Sequence, residues 1–232
     1  MATVTSDQER DTLVEGDQCV VMRGIGWDGY TKVLRARGER AVPRMVYLDG
    51  DLYLMSPAYR HESLEKRLGR FVTEVVLGLD IPCTPAGHTT FRRKKKKGGV
   101  EGDETFYLAN EPRIRGKARL HLRTDPPPDL VIEAVNTHDA EEAVEVWRRF
   151  GVPEVWVEDG NGLRILSLQP DGTYSQITTS LAFPFLTSME IHEWITKPSP
   201  GSETAWLKAL RQWVAETLVP RAKSFPRPED AS

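Results

Sequence analysis

The spacing of apolar and polar residues divides this chain into short, well-marked elements. Residues 18–22 read as a strand. Residues 27–37 read as a helix with Tyr30, Val33 and Leu34 on one side. Two apolar runs, 45–48 and 52–55, flank Asp49-Gly50-Asp51, and an Asp-Gly pair between such runs predicts a hairpin. Leu64, Leu68, Phe71, Val72, Val75, Val76 and Leu79 fall on one face of a second helix, approached through Ser56-Pro57. Strands follow at 89–93 and 104–108, separated by the basic run Arg92 to Lys97 and by Gly98-Gly99. A polar connection at 110–125 precedes another strand. The helix predicted over 139–150 carries Ala143, Val146, Trp147 and Phe150 as its stripe and stops at Gly151. Strands at 154–157 and 163–168 are joined by Asp159-Gly160-Asn161-Gly162, and 174–177 adds a third. A short helix at 188–195 and a linker at 198–201 lead to Trp206, Leu210, Trp213, Val214 and Leu218 at helical spacing. That last helix packs either on the domain or on a second copy of the chain. The strand, helix, strand order over 129–157 implies a crossover within a mixed sheet, so the class is α/β.

One position breaks the pattern. In Pro128-Asp129-Leu130-Val131-Ile132-Glu133-Ala134-Val135 a carboxylate sits inside a run that reads as a buried strand. Desolvating an unpaired Glu costs several kcal/mol, so Glu133 needs a cation nearby, either a metal ion or a basic side chain. Upstream, residues 100–108 bring Asp103 into another strand pattern. Two acids on adjacent strands make a divalent-cation site a natural reading. Asp129 shares a face with Glu133, but four residues of strand separate them by roughly 13 Å, too far to chelate one ion. It reads as a structural residue at the strand entrance.

Composition narrows the rest. The 232 residues suit one domain with tails: a disordered lead at 1–17, the domain at 18–197, and at 198–232 a linker, an amphipathic helix and a frayed end. With 31 Lys and Arg against 34 Asp and Glu the net charge is −3, so no overall basic field points to nucleic acid, although local patches remain able to bind it. Cys19 and Cys83 form no ligand spacing and read as reduced thiols in a cytoplasmic protein. Neither a signal peptide nor an apolar run of membrane-spanning length is visible.

Five segments, in order, are similar to the Uma-two restriction-endonuclease family of the PD-(D/E)XK nuclease superfamily: LDGDLYLMSPAYRHESLEKRLGR at 48–70, VEGDETFYLANE at 100–111, PPPDLVIEAV at 126–135, FGVPEVWVEDG at 150–160 and SLAFPFL at 180–186. The resemblance implies a restriction-endonuclease-like mixed β-sheet flanked by helices, with the site where two central strands diverge. It also implies Mg²⁺ (or Mn²⁺) as cofactor, DNA as partner and phosphodiester hydrolysis as activity. Residue by residue, it makes Asp103 the first metal-binding acid and Glu133 the second, with Glu62 an accessory carboxylate and His61 a catalytic candidate. On its own helix His61 reads equally well as a core histidine. The basic residues Arg92, Arg93, Lys94, Lys95, Lys96 and Lys97 form either a solvated hairpin tip or a contact to DNA phosphates.

Departures from the family pattern matter too. The superfamily lysine two residues after the second acid is Val135 here, and the helix position that carries a lysine in this family is Ala143. Gly102 replaces the proline expected before the first acid. Loss of a positioned cation is expected to slow hydrolysis by about 10²-fold or more. Two functions remain open: a weakened Mg²⁺-dependent DNA endonuclease, or an inactive pseudo-nuclease that binds DNA or protein.

Overall fold

The computed structural model describes residues 17–87, 89–134, 140–199 and 201–225, and for Arg60 and His61 the backbone alone. The lead expected at 1–17, apart from Asp17, and the frayed end expected from Pro226 onward therefore lie outside the described residues.

The elements run β1 (Gln18–Met22), α1 (Gly26–Arg37), β2 (Arg44–Leu48), β3 (Asp51–Ser56), α2 (Tyr59–Gly78), β4 (Thr84–Pro85), β5 (Thr90–Arg93), β6 (Gly98–Glu101), β7 (Glu104–Tyr107), α3 (Glu111–Ile114), β8 (Leu130–Ala134), α4 (Ala140–Phe150), β9 (Glu154–Glu158), β10 (Leu163–Leu168), β11 (Tyr174–Ile177), α5 (Ser188–Thr196), α6 (Glu203–Trp213) and α7 (Val219–Lys223). The hairpin turn between β2 and β3 is built as predicted, with Asp49 at φ 50° and Gly50 at φ 116°, the positive values that a tight two-residue turn demands.

Instead of one sheet there are two. A five-stranded sheet has the order β1-β3-β2-β6-β5, and a six-stranded sheet the order β11-β10-β9-β8-β7-β4. The second is mixed: β8 and β9 are parallel, joined through α4 as the crossover reading requires, while its other pairings are antiparallel. The run 100–108 is thus not one strand. It breaks at Gly102-Asp103, where the chain leaves the first sheet at Glu101 and enters the second at Glu104. Gly98-Gly99, expected to separate strands, lies inside β6. A Cβ on Gly99 would come within 2.5 Å of the Tyr30 hydroxyl, so glycine is what lets α1 approach this strand. The 110–125 connection also holds the short α3.

Three apolar clusters explain the layering. Leu68, Phe71, Val72 and Val75 of α2 and the C-terminal residues Trp206, Leu210, Val214 and Leu218 cover Phe106, Leu130, Ile132 and Trp156 on one face of the six-stranded sheet. On its other face Val131, Val155 and Val157 meet Ala143, Val146 and Trp147 of α4, which is held from the far side by Val46, Phe91 and Val100 of the five-stranded sheet. Tyr30 of α1 packs on Met45, Tyr47 and Leu52 beyond that. Strand alternation sends Leu130 and Ile132 one way and Val131 and Glu133 the other. Glu133 therefore faces the layer of α4, at the end of β8 nearest the crossover.

Candidate active site at the crossover between the sheets

Asp103 occupies the crossover itself and is buried. Its Oδ2 accepts the Ala134 N–H at 2.6 Å, which ties it to the end of β8 beside Glu133. Its Oδ1 accepts from Arg44 Nη1. Arg44 reaches this point because β2 pairs antiparallel with β6, Val46 opposite Val100, and continuing that register two residues places Arg44 opposite Gly102.

The other guanidinium nitrogen, Nη2, forks between two acids of α2: Glu62 Oε1 at 2.8 Å and Glu65 Oε2 at 2.5 Å. Glu62 and Glu65 are three residues apart and so share a helix face, and Glu62 lies in the first turn of α2, where the helix dipole favours negative charge. Lys66 completes the arrangement from the rim. Its Nζ donates to Glu65 Oε1 at 2.7 Å and to Glu104 Oε1 at 3.2 Å. Burial pulls the Lys66 pKa down, but the Glu65 and Glu104 carboxylates outweigh it and hold the ammonium above its usual range.

Glu133 is bound differently. Its Oε1 accepts the Trp147 Nε1–H at 2.5 Å. Burial pushes its carboxyl up to about 7; the Trp147 bond and the Arg44 charge oppose the rise and Glu65 adds to it. Gly102 makes room for this contact, since a Cβ there would lie 2.9 Å from the Trp147 ring. The departure from proline at this position therefore comes with a bulky indole packed in its place.

The structure thus joins Asp103 and Glu62 through Arg44, ties Asp103 to Ala134 beside Glu133, and adds Arg44, Glu65, Lys66 and Trp147, which the sequence reading did not single out. Arg44 carries a visible signal: like Glu133, it is a charge adjoining an apolar run, Met45 to Leu48. The Glu62–Glu65 spacing is another. The His61 side chain lies outside the described residues. Ala143 is buried on α4, and Val135 also falls outside the description. Asp129 accepts from the backbone N–H groups of Leu108 and Asn110 and from Asn110 Nδ2, fixing the entrance to β8.

A divalent ion does not fit these acids as they are arranged. Both Asp103 oxygens accept hydrogen bonds, one of them from a guanidinium, and both Glu65 oxygens accept from cations. Among the described residues no set of three or more His, Cys, Asp or Glu side chains is disposed to hold an ion.

The basic run forms the tip between β5 and β6, with a tight turn at Lys94–Lys96 and Lys97 at φ 48°. Lys96 is turned inward: its Nζ donates to the Arg149 carbonyl at the end of α4. Lys94 lies 3.8 Å from Asp28. The four residues of β6 put this tip roughly 13 Å from the crossover.

A family model, Uma2, with the description "Putative restriction endonuclease", matches residues 27–196. Among solved structures, the crystal structure of "a putative nuclease belonging to DUF820" from Anabaena variabilis is similar, with 12% identity over 81% of this chain and 97% of that one and a TM-score of 0.48. No curated protein matches.

Proposed function

The chain belongs to the Uma2 family, and from that premise we propose that it acts on DNA as a phosphodiester-directed endonuclease whose hydrolytic centre is the Asp103–Glu133 locus. The observation that supports this reading is that acids from α2 and from the crossover meet on Arg44 where the two sheets part, with Glu133 of β8 within electrostatic reach of Arg44 and Glu65. Stability alone does not call for so many acids at one buried place, because buried charge clusters are weak stabilisers at best.

Divalent ions are the group that the family's chemistry implies, and would supply charge neutralisation and an activated water. The acids as arranged do not accommodate one, so what this chain's own residues do is the useful question. Arg44 neutralises the acids and holds Glu62, Glu65 and Asp103 in one constellation. Trp147 orients Glu133 by a single hydrogen bond. Lys66 presents a protonated ammonium at the rim, suited to a phosphate oxygen and unsuited to removing a proton. The exposed cations of the 92–97 tip supply non-specific attraction to the DNA backbone. Hydrolysis at this centre requires Arg44 to release at least one acid, and with Ala143 in the lysine position the reaction is expected to be slow.

The test is nicking of supercoiled plasmid with Mg²⁺, Mn²⁺ or chelator present. Slow nicking by the parent, reduced at least tenfold by Asp103→Asn and by Glu133→Gln, is the expected result. Nicking that both variants retain would move the centre elsewhere. The second reading, a pseudo-nuclease that binds DNA without cutting it, is favoured by the guanidinium among the acids and by the apolar Ala143. DNA binding without nicking under any of these conditions would select it.

A further inference from the structure

We infer that Arg44 is a resident cation of this acid cluster, so that the free protein takes up no divalent ion at Asp103 and acquires a site there, with Glu62 and Glu65, only when the guanidinium is removed. The inference rests on the proposed nuclease reading only for which ion is relevant; the rest follows from geometry.

Arg44 is itself buried, at 7% exposure, and its nitrogens reach acids of two different elements. Nη1 takes Asp103, and Nη2 takes both Glu62 and Glu65. A planar guanidinium suits this task, since its donors fan out in fixed directions and its charge is permanent. An ion entering beside Asp103 would need the Oδ1 lone pairs that Arg44 occupies, and it would place a second cation in van der Waals range of the first. The approach from Oδ2 is closed by the Ala134 N–H. On α2, Lys66 holds the Glu65 oxygen that Arg44 does not. Take Arg44 away and the situation reverses. Asp103, Glu62 and Glu65 then lie around the gap where the guanidinium stood, without the positive charge that it supplied. Carboxylates brought together in this way are what a hard divalent cation binds.

Mn²⁺ is the probe. In Arg44→Met the apolar stem is kept and the guanidinium is lost, and the melting temperature without ion is expected to fall by about 6–12 °C as the buried acids lose its charge. Mn²⁺ should restore much of that loss and bind with a stoichiometry near one by calorimetry, and adding Asp103→Asn should abolish the response. The parent should show neither a shift nor binding that Asp103→Asn removes. Arg44→Lys, which keeps the charge, should fold and remain unresponsive to Mn²⁺. If Arg44→Met does not fold, the comparison of the parent with its Asp103→Asn variant decides: Asp103-dependent Mn²⁺ binding by the parent overturns the inference, and its absence upholds it. A folded Arg44→Met variant with no Mn²⁺ response would also overturn it. Nicking activity is read separately, so a parent that never cuts DNA defeats the nuclease reading and leaves this inference standing.

Discussion

Glu133 lies in an interior strand with one strong donor, Trp147, and its carboxyl is raised from its ordinary 4.5 to about 7 by burial. Between those two values the folded chain holds a proton that the unfolded chain has already released. Its contribution to stability is therefore complete below about pH 4.5 and is lost as pH rises through about 7. From pH 5 to pH 8 the parent should lose up to about 3 kcal/mol that a Glu133→Gln variant does not lose, as urea midpoints at the two pH values would show. Equal pH slopes for the two proteins would mean that Glu133 is ionised in the fold. That this carboxylate needed a partner was legible from its apolar neighbours. Which partner it had was not, because Trp147 reads as one more member of a helical stripe. Arg44 adjoins an apolar run too, but a charge at the start of a strand normally faces solvent, and only the pairing of β2 with β6 turns this one inward.

Among the elements, those with a local signature were readable and those fixed by distant partners were not. The β2–β3 hairpin has its Asp-Gly turn, and α2 and α4 have their apolar stripes. The break at Gly102-Asp103 has no such mark. Val100 packs with α4 and β2 while Phe106 packs with α2, so the chain must change sheets between them, yet its local sequence continues to look like one strand. The C-terminal helix was expected to bury Trp206, Leu210, Trp213 and Val214 against the domain or a second copy; Trp206, Leu210 and Val214 belong to the chain's own α2 cluster, and Trp213 packs against it half-buried. Helix α6 opens on Ser202, whose hydroxyl accepts the Ala205 N–H, and runs through a wide turn at Val214–Leu218 into α7. Trp206 anchors it: the indole N–H donates to the Trp194 carbonyl at 2.9 Å and the Arg67 guanidinium lies over the ring at 5.1 Å. Trp206→Ala should cost about 3–5 kcal/mol in urea unfolding. A loss below about 1 kcal/mol would show that the helix is not part of the cooperative core.

At the scale of the whole molecule, two sheets share one helix, α4, between them, and the acid cluster sits where the polypeptide passes from one sheet to the other. No described helix is long and apolar enough to cross a membrane. Arg44, from the start of β2, reaches into this cluster and bonds Asp103, Glu62 and Glu65. Crystals of the parent soaked in Mn²⁺, with anomalous scattering used to locate the ion, measure this directly. The account predicts Arg44 bonded to Asp103, Glu62 and Glu65, with no anomalous peak between Asp103 and Glu133. A Mn²⁺ peak coordinated by Asp103 and Glu133, with Arg44 displaced from the acids, would contradict it.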